Sequence, residues 1–309
     1  MNLHEQRIAT PVDVAEQREW RRPTRSVMRI TYSDGLAVYR RGAGPAILVP
    51  PYPHASTHRP MAEDRLADLL AGAGFSVVSF DPPGAYRSER PMRGDMAEML
   101  DCCTEALNSS GIDLPTLVVG HSMSSLCALG LAIEQPSLVA RLMLVGSLSG
   151  FPAVRRWSIP HNWSPWRDRE WWQCMILGTR HMLGLGNLAT YRRLDNIVER
   201  ASVVHPGAAE PFTIHKDDNQ RPQPPRAIWL QTVRKVDYRR RLNEVRAPTL
   251  VMVGRHDPQT PIACADELVA GISGSRLTIF EHSGHAPFVE EPETFTSEIT
   301  AFLRDQEVS

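Results

Sequence analysis

Short apolar runs separated by amphipathic stretches recur along most of this chain. Residues 26–32 alternate as a half-buried strand does, Asp34-Gly35 supplies a hairpin turn, and residues 36–40 read as the return strand. The apolar run 46–49 has the character of a buried strand. A helical pattern over 60–73 stops at Gly74, the residue type favoured just past a helix C-terminus. Strands follow over 75–80, 116–119 and 140–145, with helices over 95–107 and 122–133 between them. The alternation returns at 250–253, then gives a helix over 261–272, a strand over 276–280 and a closing helix over 292–304. Such alternation predicts an α/β fold, with a mostly parallel central sheet flanked by helices.

Between residues 150 and 247 the pattern stops. This stretch is rich in Trp, Arg and Pro, and it is too long for an ordinary loop. We read residues 151–247 as an inserted helical cap, residues 26–150 and 248–309 as the core, and the polar residues 1–25 as an N-terminal extension. A chain of 309 residues fits one large domain carrying such an insertion.

Charge sharpens this division. The net charge of −1 argues against nucleic acid as a partner. It conceals an asymmetry: residues 151–247 hold 17 Lys+Arg against nine Asp+Glu, while the rest holds 17 against 26. The insertion is therefore basic and the core acidic. No apolar run approaches the ~18 residues of a membrane span, and the N-terminus lacks the apolar centre of a signal peptide. The five cysteines are odd in number and form no metal-ligand spacing, so we expect no metal, no cofactor and a reduced, cytoplasmic setting.

Three segments carry candidate chemistry. Gly120-His121-Ser122-Met123-Ser124 follows a predicted strand and opens a predicted helix. Gly120 and Ser124, two residues to either side of Ser122, are both small. Glu281-His282-Ser283-Gly284-His285 follows the last predicted strand and leads to Glu290-Glu291-Pro292, while Gly254-Arg255-His256-Asp257 ends the strand before it. Serine is a weak nucleophile without a base to take its proton, and that base needs a carboxylate to fix its tautomer.

In these segments the chain resembles the α/β-hydrolase superfamily, whose nucleophile elbow reads G-x-S-x-G at the same strand-to-helix junction. Ser124 replaces the second glycine. The resemblance implies Ser122 as nucleophile, His285 as base with His282 a structural neighbour, and Asp257 as the orienting acid, in the superfamily's chain order. It also implies an oxyanion hole from the Met123 amide and the amide of a residue after strand 46–49. Where relatives have His-Gly, this chain has Pro50-Pro51-Tyr52-Pro53-His54, so Tyr52 is the expected donor, the prolines having no N–H. Asp81-Pro82-Pro83-Gly84-Ala85-Tyr86-Arg87-Ser88 matches the family's D-x-x-G-x-G-x-S turn except at Tyr86; its Asp81 and Arg87 are expected to be structural. The resemblance covers about 27–150 and 248–305.

What it implies is a serine esterase or lactonase working through an acyl-enzyme, without metal or cofactor. A carbon–carbon bond hydrolase uses the same triad, and a non-hydrolytic cyclase or acyltransferase on the same fold remains an alternative. Relatives with an aspartate nucleophile, the haloalkane dehalogenases and epoxide hydrolases, are disfavoured by Ser122. Five of the seven tryptophans fall within residues 157–172. They suggest a small-molecule substrate that is aromatic or, from the basic insertion, anionic. The expected pocket residues are His54, Trp163, Trp166 and Trp172. The sequence leaves the oligomeric state open.

Overall fold

The computed structural model describes residues 6–8, 28–52, 60–150, 152, 169–182, 188–205 and 234–304. Nine strands form one sheet: β1 (Gln6–Ile8), β2 (Met28–Ser33), β3 (Leu36–Arg41), β4 (Ala46–Leu48), β5 (Ser76–Phe80), β6 (Thr116–His121), β7 (Val139–Val145), β8 (Thr249–Gly254) and β9 (Arg276–Phe280). Their order is β1-β9-β8-β7-β6-β4-β5-β3-β2. Among the described strands only the β2–β3 and β3–β5 pairs are antiparallel, so the sheet is mostly parallel, as its near-continuous apolar strands require.

Helices cover both faces. One core layer packs β-strand side chains against α2 (Met96–Ser109), α3 (Ser125–Glu134) and α6 (Ile262–Gly271); the other uses α1 (Arg65–Gly72), the short α7 (Pro287–Glu290) and α8 (Pro292–Arg304). Two starts are capped by side chains: Asp64 accepts the Ala67 N–H at 2.8 Å, and Asp95 accepts that of Glu98 at 2.7 Å. Residues 125–133 of α3 are all buried, so the helix behind the elbow meets solvent only at its last residue, Glu134.

Three local differences from the sequence reading have physical causes. The helix expected over 60–73 is a 3-10 turn, Met61–Glu63, followed by α1, because Asp64 stays extended to cap α1. The helix expected from Ser122 begins as a 3-10 turn over Ser122–Ser124, which the elbow imposes on its first residues. Gln6–Ile8, read as part of an extension, pair in parallel with Leu277–Ile279. The neighbouring polar sequence carries no strand periodicity, so this three-residue strand had no pattern to announce it.

Chain direction places the site. From β4 the chain moves outward to β5 on one side, whereas β6 to β9 progress outward on the other. β4 and β6 are therefore neighbours at a topological switch point, where the loops after parallel strands diverge and leave a crevice. Between β7 and β8 lie two further described helices, α4 (Arg169–Met182) and α5 (Leu188–Ser202), packed on each other.

Candidate active site

Ser122 stands at the end of β6 with φ of +52°, a left-handed conformation that an L-residue holds only under constraint. A Cβ on Gly120 would come within 2.6 Å of the Ser125 Cα, so the position two before Ser122 tolerates only glycine. Ser124, the departure from the elbow pattern, braces the turn. Its hydroxyl accepts the His121 N–H at 2.8 Å and donates to the His121 carbonyl at 2.9 Å. A small polar residue here replaces the freedom of a glycine with two hydrogen bonds.

Asp257 follows β8 and is buried. Its Oδ2 accepts from His285 Nδ1 at 2.8 Å and from the Thr260 hydroxyl at 2.8 Å. Its Oδ1 accepts the amides of Gln259 and Thr260 at 2.8 and 2.9 Å. Burial is the strongest influence and favours the protonated acid. The charge of His285 and the hydrogen bonds from His285 and Thr260 together outweigh it, and the carboxyl lies below its ordinary pKa. An acid that stays ionised and is held at both oxygens can orient an imidazole and stabilise its cation. His282, by contrast, is exposed on the same loop.

The loop bearing His285 is pressed against the end of α5. The His285 N–H donates to the Ser202 carbonyl at 2.7 Å, and a Cβ on Gly284 would lie 2.1 Å from that same oxygen. Glycine at 284 is thus the condition for this contact. Gln259 donates to the Ser202 hydroxyl at 2.7 Å. The Glu290 carboxylate accepts the Gly284 N–H at 2.6 Å and the Val204 N–H at 2.7 Å, which ties the loop to the residues just past α5.

Ser122, Met123, His285 and Tyr52 line one cavity of about 300 Å³, together with His121, Gln259 and residues of α5. The Tyr52 hydroxyl lies 3.0 Å from His121 Nδ1, and His121 Nε2 lies 3.0 Å from the His285 carbonyl oxygen. The His121 ring packs edge-on to Phe288, with centroids 4.9 Å apart, and burial followed by the neighbouring His285 charge pushes its pKa down to about 3. Asp81 lies away from the cavity and holds its rim. It accepts the Tyr39 hydroxyl at 2.5 Å and the Met61 and Arg87 amides at 2.9 and 3.1 Å. Tyr86, standing where the turn pattern has glycine, takes φ of +50°.

The structure therefore brings together Ser122, Asp257, His285, Tyr52 and Met123. Trp172 is 52% exposed and does not line the cavity around Ser122; Met175 and Ile176, three and four residues on, share its exposed face. His54, Trp163 and Trp166 lie outside the described residues. Sequence reasoning missed His121, Thr260, Gln259 and Ser202. His121 alone carried a signal, since it occupies the variable position inside the elbow, directly before the nucleophile candidate.

The chain matches the alpha/beta hydrolase fold family over residues 47–292 and belongs to it. It is a hydrolase on this fold by similarity to several kinds of hydrolase. It is 32% identical over 231 residues to the pimeloyl-[acyl-carrier protein] methyl ester esterase of Nitrosomonas europaea, covering 72% of this chain and 83% of that protein. It is 28% identical over 255 residues to a 2-hydroxy-6-oxononadienedioate/2-hydroxy-6-oxononatrienedioate hydrolase of Pseudomonas putida, covering 78% and 81%. An alpha/beta fold family hydrolase from Bacillus anthracis superposes with a TM-score of 0.72 at 18% identity, covering 90% of this chain and all of that one, which bears on the fold. No helix among the described residues is long and apolar enough to cross a membrane.

Proposed function

We propose that this protein is a serine hydrolase that cleaves a carboxylic ester or lactone through Ser122, His285 and Asp257. The observation that carries the reading is the buried His285–Asp257 hydrogen bond at 2.8 Å, opening on the cavity that Ser122 also lines. With Nδ1–H committed to Asp257, the Nε2 of His285 is the lone-pair nitrogen and takes the Ser122 proton as the hydroxyl attacks the substrate carbonyl. The Met123 and Tyr52 amides receive the developing oxyanion. Collapse of the tetrahedral adduct expels the alcohol, which leaves with the proton from His285. Water then enters, gives its proton to His285 and releases the acid from Ser122.

Residues 151–247 act as a cap over this site, with Val198, Glu199 and Val203 lining the cavity that Ser122 also lines. The basic charge of this insertion favours anionic small-molecule substrates. A steep fall of kcat/KM with salt for acidic esters, absent for neutral ones, is the expected signature. Carbon–carbon bond hydrolysis is the second reading, favoured by the similarity to the Pseudomonas putida enzyme.

A panel of aryl esters, lactones and vinylogous diketones, run in 18O-labelled water, tests both readings. One solvent oxygen in the product acid is expected, and turnover and fluorophosphonate labelling are expected to vanish in Ser122→Ala. A product that forms without solvent oxygen identifies a cyclase or acyltransferase instead.

A further inference from the structure

His121 makes two hydrogen bonds that together decide which nitrogen carries its proton. Its Nε2 faces the main-chain carbonyl of His285 at 3.0 Å, and a carbonyl oxygen can only accept. The proton is therefore on Nε2. The ring has its centroid 4.9 Å from that of His285, which itself becomes a cation whenever it takes the Ser122 proton, so a second positive charge beside it is strongly disfavoured. Burial acts in the same direction. With Nε2–H spent on the carbonyl and no second proton, Nδ1 presents a lone pair, and the Tyr52 hydroxyl at 3.0 Å donates to it.

These bonds join two loops that the sheet does not join. Tyr52 follows β4 and is preceded by Pro50 and Pro51, which have no N–H with which to tie the loop down. His285 follows β9, four places away from β4 in the sheet. Its N–H is held by Ser202 and its carbonyl by His121, so both polar groups of this main-chain unit are committed. We propose that His121 is a positioning residue, its Nδ1 holding the oxyanion loop through the Tyr52 hydroxyl and its Nε2–H holding the main chain of His285, so that one side chain sets donor and base in register. The Pro50-Pro51 departure and the Tyr52–His121 bond are then two parts of one arrangement, in which a loop without glycine is anchored by a side chain instead. This rests on the hydrolytic reading above only for its effect on rate. The tautomer stands independently.

Two isosteric replacements separate the two bonds. The Nε2–H of a glutamine reproduces the donor toward His285 and removes the acceptor that His121 Nδ1 offers the Tyr52 hydroxyl. An asparagine oxygen reproduces the acceptor toward Tyr52 and leaves the His285 carbonyl without a donor. The rates are measured on an aryl ester, per site titrated by fluorophosphonate, so that misfolded protein is not counted. His121→Ala is expected to lower kcat by about 10- to 100-fold with KM changed less than about threefold, since misplacing a reacting group by about 1 Å costs up to about 10²-fold. His121→Gln and Tyr52→Phe are each expected to lose about three- to tenfold, and the double variant no more than the worse single one. His121→Asn is expected to move the acidic limb of the kcat/KM profile, because it frees the main chain of the base. A purely structural role would lower the melting temperature and leave kcat per titrated site, the profile and multiplicativity untouched, and that result overturns the proposal.

A side-chain 15N–1H correlation spectrum, with His121 assigned by its loss in His121→Gln, supplies a readout free of activity. A single neutral Nε2–H form from pH 5 to 8 is expected. Titration of His121 within that range, or a proton on Nδ1, equally overturns it. Absence of Ser122 labelling in the unaltered protein would count against the hydrolytic reading, while the spectrum still decides the tautomer.

Discussion

The sheet with its flanking helices and the two helices between β7 and β8 solve the problem of burial in different ways. In the first region β5 and β8 are buried at every position, and so are the first nine residues of α3. In the second, α4 leaves Trp172, Met175 and Ile176 exposed, while the tight contacts lie at the far end of α5, where Ile197 and Ser202 are buried. The sheet can hold a strained serine and an ionised buried aspartate because close packing leaves them no alternative arrangement. Among the described residues, the two helices between β7 and β8 meet the site through hydrogen bonds at Ser202, a close approach to Gly284 and the cavity lining of Val198, Glu199 and, just past α5, Val203. On the proposed reading, chemistry belongs to the closely packed sheet and access to the two helices between β7 and β8.

The comparison can be broken most severely at the elbow. Ser122→Ala is expected to lower kcat by about 10⁴-fold or more with the melting temperature nearly unchanged, as measured by steady-state turnover and differential scanning fluorimetry. Asp257→Asn should lose about 10³- to 10⁴-fold, because the amide no longer selects the His285 tautomer; turnover within tenfold of normal would remove Asp257 from the mechanism. In the core, Leu144→Ala should cost about 2–5 kcal/mol in denaturant unfolding, as expected where the surroundings cannot collapse into the space.

The pH dependence is a subtler probe. Asp257 has its pKa lowered in the fold, so its ionised form contributes stability that is fully present above the ordinary carboxylate value of about 4 and is lost as pH falls through the lowered one. The stability difference between the natural chain and Asp257→Asn should accordingly shrink below about pH 4 and persist above it. Smallest of all, Ile176→Ser on α4 should change stability by no more than about 0.5 kcal/mol. A loss as large as that for Leu144→Ala would mean that the exposed face of α4 is covered in solution, and it would end the contrast drawn between the two regions.

The same division governs what could be read in advance. Periodicity located nearly every strand of the core, since a buried parallel strand must be apolar throughout and a short run has little choice of fate. The candidate triad residues were placed for a related reason: each sits at a strand end beside small neighbours, such as Gly120 and Gly284, that leave a trace in the sequence. Trp172 shows the opposite case. Aromatic richness in the insertion said nothing about which ring faces the cavity, because that depends on how a helix is rotated on its neighbours. The edge strand Gln6–Ile8 was invisible because three residues are too few to show a strand period.

Sequence by itself determined the α/β alternation, the order Ser122, Asp257, His285, and the basic character of the insertion, because local periodicity and residue chemistry suffice for each. Only the tertiary structure decided that Ser124 could replace glycine by bracing the turn, that Ser202 would hold the His285 main chain, and that His121 would stand between Tyr52 and His285. Those relations join residues up to 164 positions apart. They exist only once a twisted sheet has brought the ends of separate strands to one crevice, and no local pattern encodes which groups will meet there.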